Sequence, residues 1–249
     1  MKFTVLTMWH NEAPLAGLFM RHYLAQGAAA IHVIVDRDTS DAGPAIARRY
    51  CARLHRGPET AGMDDLAKVA ALNALAATIT DGYILVADAD EFAYSTEGPG
   101  GARLSIAEHL ELHPAKWYGV RYWQAFRHVS EGPLDTRPVL EQRRHGCSLP
   151  FGQGHWCKPA IVRADLHPAW KPGHHYVEHD TYGKGGPELA GAHWAMAEPD
   201  LAVARRLSRR DRMSQANFQA GLTSHQWHVT EAEIREECQQ HENDPIQVE

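Results

Sequence analysis

Residues 82–92 read GYILVADADEF, a run of buried-type side chains that ends in three carboxylates within four positions. The apolar part, YILVA, predicts a strand in the core of a sheet. The carboxylates are Asp88, Asp90 and Glu91, which would repel one another if they lay together without a counter-charge. The stretch therefore predicts either a solvated turn after a buried strand or a place where a cation binds.

Strand-like and helix-like runs alternate on the amino-terminal side of this stretch. FTVLTM (3–8) and IHVIV (31–35) predict buried strands, and each leads into a helical pattern, the second of them over 44–54. A third helix, capped by an aspartate, is predicted over 63–79, immediately before the strand in 82–92. Three strand–helix units in succession are typical of an α/β sheet.

The pattern is less regular after residue 100. An aromatic, β-rich run at 116–126 predicts one more strand. Residues 132–192 are rich in Gly, Pro and His, which predicts long functional loops rather than a second packed domain. Helical patterns return at 198–218 and in the tail, where Thr230 and Glu233 have the spacing of a capping box.

Composition limits the function classes. The chain has 249 residues, 44% of them hydrophobic and 22% charged, which suits one large domain with a sizeable core. The formal net charge of −6 excludes an overall basic field for nucleic acid or an anionic membrane. Five arginines lie between 205 and 212, but their helical spacing around a buried stripe predicts a mostly solvated helix face. We therefore expect no nucleic-acid partner.

The amino terminus and the cysteines both bear on location. In MKFTVLTMWHNE, polar residues end the apolar run too soon for a signal peptide or a membrane span. The cysteines at 51, 147, 157 and 238 form no CxxC pair, which is typical of free thiols in a reducing compartment. We expect a cytoplasmic protein without a transmembrane segment.

Three patterns raise the question of a metal. Asp88 and Asp90, separated by a small residue at a strand end, can present oxygens to a hard divalent cation such as Mn²⁺ or Mg²⁺. Zinc accepts the side chains of His145, Cys147, His155 and Cys157, but their spacing matches no common zinc module. Residues 175–179 have the HxxEH order of a zinc hydrolase, although the surrounding Pro and Gly leave few apolar residues to bury a helix.

Several ordered motifs carry a resemblance to a known family. The motifs are Asn11-Glu12 after the first strand, HYLAQGAAAIHVIVDRDTSD, VADADEF, WQAF, RPVLEQR, the segment Lys158 to Val162, and the late His193-Trp194. In this order, over most of positions 3–215, they resemble nucleotide-sugar glycosyltransferases of the GT-A fold, within glycosyltransferase family two and close to a branch that opens with an NE motif. The resemblance implies a Rossmann-like α/β fold with a mixed, mostly parallel sheet flanked by helices and a helical C-terminal extension.

The resemblance also implies domain limits and an activity. It places one GT-A domain at 1–218, with a nucleotide-binding half at 1–92 and an acceptor and metal half at 93–218, followed by a helical tail at 219–249. The implied reaction moves a hexose from a nucleoside-diphosphate sugar, with UDP as the expected nucleotide, to a glycan, a lipid-linked sugar or another hydroxyl acceptor. Inversion at the anomeric carbon and a requirement for Mn²⁺ or Mg²⁺ are expected.

Site residues follow from matching the motifs. Those implied to bind the donor are Asn11, Glu12, Asp36, Lys68 and Asp88. Those implied to hold the cation are Asp88, Asp90 and His193. Those implied to act in catalysis are Asp90, Glu91 and, as the base that deprotonates the acceptor hydroxyl, Asp180, with Glu178, Asp135 and Glu141 as competing candidates. A non-catalytic module of the same fold that binds a nucleotide sugar is the alternative function.

Overall fold

The computed structural model describes residues 1–60, 62–96, 103–147, 157–174, 176–178, 188–222 and 228–242. The helices in this part are α1 Ala13–Ala25, α2 Gly43–Arg49, α3 Asp65–Ala76, α4 Ile106–Leu112, α5 Val139–Gln142, α6 Pro199–Asp211, α7 Gln215–Gln219 and α8 Glu231–Glu242. The strands are β1 Phe3–Trp9, β2 Ala30–Val35, β3 Arg53–Arg56, β4 Tyr83–Val86, β5 Glu91–Tyr94, β6 Trp117–Phe126, β7 His145–Cys147, β8 Cys157–Arg163 and β9 Glu188–Met196.

These strands form a single sheet in the order β3-β2-β1-β4-β8-β6-β9-β5, with β7 paired to β6. The first four strands are parallel. Beyond them, β8 runs antiparallel to β4 and β6, β9 is parallel to β6, and β5 is antiparallel to β9. The expected α/β fold, a mixed sheet flanked by helices, is confirmed.

Helices cover both faces of the central parallel strands, which is why β1 and β4 are apolar along most of their length, whereas edge strand β3 is not. Phe3 and Val5 of β1 pack in one cluster with Phe19 of α1. Leu6, on the opposite face of the same strand, packs in a second cluster with Leu72 of α3. The predicted third helix begins where expected, because the Asp64 carboxylate accepts a hydrogen bond from the Ala67 amide at 2.9 Å.

The carboxyl-terminal helices form a smaller cluster of their own. Val203 of α6 packs with Ile234 and Cys238 of α8. The predicted capping box is confirmed: the Thr230 amide donates to Glu233 at 2.7 Å, and the Glu233 amide donates to the Thr230 hydroxyl at 3.3 Å. The helical stretch predicted at 198–218 consists of two helices, α6 and α7, with a short break between them.

Two predictions were wrong. The helix expected over 44–54 ends at Arg49, because Cys51 adopts φ +59° and turns the chain into edge strand β3. The loops expected over 132–192 include β8 and β9, which lie inside the sheet.

Among the residues described, no helix combines the length and apolarity that a membrane crossing requires.

Candidate functional site

A cleft of about 340 Å³ opens at the carboxyl ends of β1, β2 and β4. Helix α1, which follows β1, packs on one face of the sheet, whereas α3, which precedes β4, packs on the other. The gap between β1 and β4 is therefore the point where the connections diverge, and ligands of open α/β sheets bind at such points. Helix α6 forms the opposite wall of the cleft.

Asn11 orders the loop beside this cleft. Its backbone has φ +52°, a left-handed conformation that asparagine tolerates better than most residues. Its side-chain oxygen accepts hydrogen bonds from the amides of Ser40 at 2.8 Å and Asp41 at 3.2 Å. Asn11 lines the cleft as expected, but its oxygen is engaged by the loop that follows β2; nucleotide contact by Asn11 stays a prediction.

Glu12 brings a carboxylate to the end of β1. One oxygen accepts a hydrogen bond from Arg205 at 3.1 Å, while Oε2 is buried and has no hydrogen-bond partner among the described residues. Burial raises the pKa of Glu12, and the charge of Arg205 acts in the opposite direction. Because buried polar atoms are nearly always satisfied, Oε2 is an acceptor available to a ligand donor.

Asp88 follows β4 and lies between two ammonium groups. Lys68 of α3 donates to it at 2.6 Å, and the Lys158 nitrogen of β8 lies 3.9 Å away. Burial alone would raise the pKa of Asp88, but Lys68 and Lys158 hold that pKa well below its ordinary value. Asp88 is therefore ionised at neutral pH, and its side chain, 22% exposed, faces the cleft.

Asp90 is bound from the opposite wall. Arg205 of α6 donates to it at 2.6 Å, and Nε2 of His193 on β9 lies 3.6 Å from the same oxygen. Burial would raise the pKa of Asp90, but Arg205 and His193 keep it below its ordinary value. The carboxylate is charged whenever the fold is intact at neutral pH.

The protonation of His193 follows from Gln124. The Gln124 amide nitrogen donates to the carbonyls of His193 at 2.9 Å and Ala125 at 3.2 Å. The Gln124 oxygen therefore faces Nδ1 of His193 at 2.7 Å and accepts a hydrogen bond from the Nδ1–H group. Burial lowers the pKa of His193 to about 4, so the ring is neutral at pH 7. Nε2 then presents a lone pair on the same side as the Asp90 carboxylate.

Glu91 lies beneath the cleft rather than in its lining. Its side chain is 2% exposed, forms an ion pair with Lys158 and accepts a hydrogen bond from the Asp88 amide at 3.1 Å. Burial raises the pKa of Glu91, and Lys158 opposes this. A direct catalytic role for Glu91 stays a prediction; its contacts fix the turn that carries Asp88.

Helix α6 departs from the solvated face that the sequence predicted. Arg205 and Arg212 are 16% and 19% exposed, and Arg212 binds Asp36 at 2.5 Å. Together with Arg209 they line the cleft at positions i, i+4 and i+7, a spacing that places them on one side of a helix. This spacing is visible in the sequence and could have predicted a cationic side of the helix. The cationic wall was missed because its partners are more than 100 residues away, as Asp90 is from Arg205.

The donor set fits a hard divalent cation. In the described ranges no three His, Cys, Asp or Glu side chains converge as a preformed metal cage. Asp90 and His193 nonetheless present an oxygen and a nitrogen 3.6 Å apart, with Asp88 two residues away on the same turn. Magnesium-like ions are commonly held by one or two carboxylates plus water and substrate phosphates, so this partial set suffices.

The remaining predicted residues fall into two groups. Asp180, together with His155, His175 and His179 of the two zinc patterns, lies outside the described residues. The competing base candidates that are described are exposed and do not line the cleft: Glu178 pairs with Lys171, Asp135 pairs with Arg137, and Glu141 is on α5.

No protein-family model matches the chain, and no curated protein matches it. Among solved structures it is similar to residues 1–349 of TarS from S. aureus, at 11% identity and a TM-score of 0.44, over 96% of this chain and 71% of that one. It is also similar to glucosyl-3-phosphoglycerate synthase from Mycobacterium tuberculosis, in complex with Mn²⁺, UDP and glucosyl-3-phosphoglycerate, at 15% identity and a TM-score of 0.42, over 90% and 81% of the two chains. UDP-glucose pyrophosphorylase complexed with UDP-glucose is similar at 12% identity and a TM-score of 0.31, over 50% and 58%. These likenesses are distant, and the chemistry of this chain is argued from its own cleft.

Proposed function

We propose that the chain is a glycosyltransferase that takes a sugar from a nucleoside-diphosphate sugar, with a UDP-sugar as the expected donor and Mn²⁺ or Mg²⁺ as cofactor. One observation carries the proposal: Asp88, Asp90 and Glu12 meet at the divergence point of a parallel sheet, opposite a wall of arginines. Carboxylates that bind a cation, beside guanidinium groups that bind phosphate, suit a ligand with a diphosphate.

Asp90 and His193, with Asp88 beside them, would hold the cation. When bound there, a divalent ion supplies Lewis-acid neutralisation of the charge that grows on the departing nucleoside diphosphate. Gln124 keeps the proton of His193 on Nδ1, so that Nε2 remains a ligand atom. Glu91 supports the site from below by holding the Asp88 amide and the Lys158 ammonium.

The nucleoside would lie over β1 and β2. Glu12 Oε2 is an acceptor without a partner in the described chain, and a ribose hydroxyl or a uracil N–H is a donor that would satisfy it. Asp36, at the end of β2, is the second acceptor, and Asn11 fixes the loop after β2 beside it. Lys68, bound to Asp88, would meet the phosphates from α3.

Transfer to a hydroxyl requires a base that removes the acceptor proton. Asp180 is our proposal for that base, with inversion at the anomeric carbon and a glycan or lipid-linked sugar as acceptor. The donor half of the site is supported by contacts described above. The acceptor half rests on the motif order.

Calorimetric titration tests the donor. Nucleoside-diphosphate sugars and UDP are titrated with and without Mn²⁺, and released UDP is then measured with a mixed glycan acceptor. We expect UDP binding to require the cation and to be lost in Asp90→Asn. Asp81→Asn, at the exposed opposite end of β4, removes the same charge and serves as the matched control. Binding without UDP release would indicate a non-catalytic module, and no nucleotide binding at all would refute the proposal.

A further inference from the structure

Arg209 differs from the other cations that line the cleft. Lys68 pairs with Asp88, Arg205 with Asp90 and Glu12, Arg206 with Glu237, and Arg212 with Asp36. Arg209 lines the same cleft, is partly buried, and makes no hydrogen bond or ion pair with any described residue. A guanidinium that is withdrawn from solvent and has five unused donors is suited to an anion.

Arg212, one turn further along, has an unused donor as well. Its Nη2 binds Asp36 at 2.5 Å, but its Nε is buried and has no acceptor in the part of the chain that the structure describes. Arg209 and Arg212 are three residues apart, so their side chains are neighbours on the helix surface. The two residues therefore offer several N–H donors to the same part of the cleft.

Backbone contacts hold this part of the wall in place. The Met63 amide donates to the Arg212 carbonyl at 2.6 Å, and the Ser214 amide donates to the Met63 carbonyl at 3.0 Å. Gly62 lies so close that a Cβ there would be 2.2 Å from the Arg212 carbonyl oxygen. The backbone at Arg212 is thus tied to the segment before α3 without any ligand.

The side chain of Asn217 extends this attachment to α3 itself. Its oxygen accepts from the Asp65 amide at 2.9 Å, and its nitrogen donates to the Asp65 carboxylate at 3.1 Å. Asn217 is fully buried, so both contacts are protected from water. These contacts hold the backbone around Arg212 in place before a ligand binds, which lowers the entropy cost of binding.

We propose that Arg209 and Arg212 form a phosphate-binding wall, across the cleft from the strand-end carboxylates. The wall takes phosphoryl oxygens, which guanidinium groups bind with paired, charge-assisted hydrogen bonds. The phosphate can be supplied by the donor diphosphate or by a phosphorylated acceptor, and this choice of source is the part that rests on the proposed function.

The test compares ligands with and without phosphate. Wild type, Arg209→Gln and Arg209→Lys are titrated calorimetrically, in the presence of Mg²⁺, with UDP, uridine, inorganic pyrophosphate and glucose 6-phosphate. Arg49→Gln, which removes an exposed arginine at the end of α2, is the matched control. Thermal unfolding should change little in every variant, since Arg209 makes no hydrogen bond or ion pair with a described residue and acts on Glu12 and Asp65 only through its charge, which lowers their pKa.

We expect Arg209→Gln to weaken UDP and pyrophosphate binding by about tenfold or more, since one charge-assisted contact is lost, and to leave uridine unchanged. Arg209→Lys should recover part of the loss. A loss confined to glucose 6-phosphate would support the wall and assign the phosphate to the acceptor.

Two results separate this inference from the proposed function. Pyrophosphate bound through Arg209 by a protein that binds no nucleotide would uphold the wall and refute the nucleotide-sugar donor. UDP bound with full affinity by Arg209→Gln, with glucose 6-phosphate also unchanged, would overturn the wall and leave the donor standing. A wild-type protein that binds none of the phosphates would also overturn the wall.

Discussion

Asp90 and Glu91 are neighbours in the chain, yet their ion pairs lie in different environments. The pair of Glu91 with Lys158 is sealed, with side chains 2% and 6% exposed. The pairs of Asp90 and Glu12 with Arg205 border the cleft, where a ligand can reach them. Asp90 ends the turn after β4 and Glu91 begins β5, so a step of one residue separates the two environments.

The two environments suit different tasks. A sealed pair cannot exchange its partner, so it fixes geometry, and removing one member leaves an uncompensated charge in the interior. A pair at the cleft can exchange its protein counter-ion for a ligand or a metal ion. We therefore infer that the sealed pair beneath the cleft governs stability, while the pairs that border the cleft govern binding.

The largest expected effect is on the sealed pair. Lys158→Met should lower the free energy of unfolding by about 3–5 kcal/mol, because Glu91 loses its buried counter-charge. Lys68→Met, whose partner Asp88 is 22% exposed, should cost only about 1 kcal/mol. Urea denaturation measures both. Equal losses in the two variants would abolish the distinction between the environments.

Asp90→Asn should reverse this pattern. If the proposed function holds, we expect it to reduce glycosyl transfer by roughly a hundredfold to a thousandfold, since a proposed carboxylate ligand of the cation is lost. Stability should change little, since Arg205 keeps its contact with Glu12. Initial rates of UDP release at saturating Mn²⁺ are the measurement. Wild-type rates in this variant would refute the proposal that Asp90 binds the cation.

The pH dependence of stability extends the comparison to His22, a buried residue that contacts β5 beside Glu91. Burial lowers its pKa to about 4, against an ordinary value of 6.5, although it hydrogen-bonds the Ala93 carbonyl at 2.7 Å. Between about pH 4 and pH 6.5, the unfolded chain therefore binds a proton at His22 and the folded chain does not. The stability of the folded state that depends on a neutral His22 is fully present above pH 6.5 and is lost as the pH falls towards 4.

The expected size of this loss is roughly 3 kcal/mol at pH 4, because folding lowers the pKa of His22 from 6.5 to about 4. His22→Gln, whose amide can still donate to the carbonyl, should flatten the decline relative to wild type. Urea denaturation at pH 7, 6, 5 and 4 gives the two curves. Parallel curves would mean that His22 titrates normally in the folded protein.

The sequence predicted the sealed interior better than the cleft. The sequence pattern predicts buried strands such as β1 and β4 directly, because strands covered on both faces are near-continuous apolar runs. The acids at the strand end were equally visible, since Asp88 and Asp90 lie two positions apart in the sequence. The sequence did not reveal the partners of these acids, because Arg205 meets Asp90 only through the folding of the whole sheet.

The missed strands have a similar cause. β8 lies between β4 and β6, and β9 lies between β6 and β5, so their neighbours in the sheet stabilise them despite an irregular local pattern. Local propensity is weak evidence for such strands, since their stability comes from pairing and burial. Lys158 of β8 and His193 of β9 both reach the site from these strands. The motif order named His193 as a cation ligand, but the loops predicted over 132–192 gave Lys158 no position in the sheet.

The smallest expected effect concerns Glu12, which combines features of both environments. Its carboxylate is buried, yet Glu12 lines the cleft and its Oε2 has no partner in the described chain. If a nucleoside hydroxyl or N–H satisfies that oxygen, Glu12→Gln should weaken uridine and UDP binding by the same factor, about tenfold. Pyrophosphate binding should not change, because it carries no nucleoside. Calorimetry with the three ligands gives the comparison, and Asp81→Asn controls for the lost charge. A loss that is larger for pyrophosphate than for uridine would move Glu12 from the nucleoside end of the cleft to the phosphate end, where its partner Arg205 already lies beside Asp90.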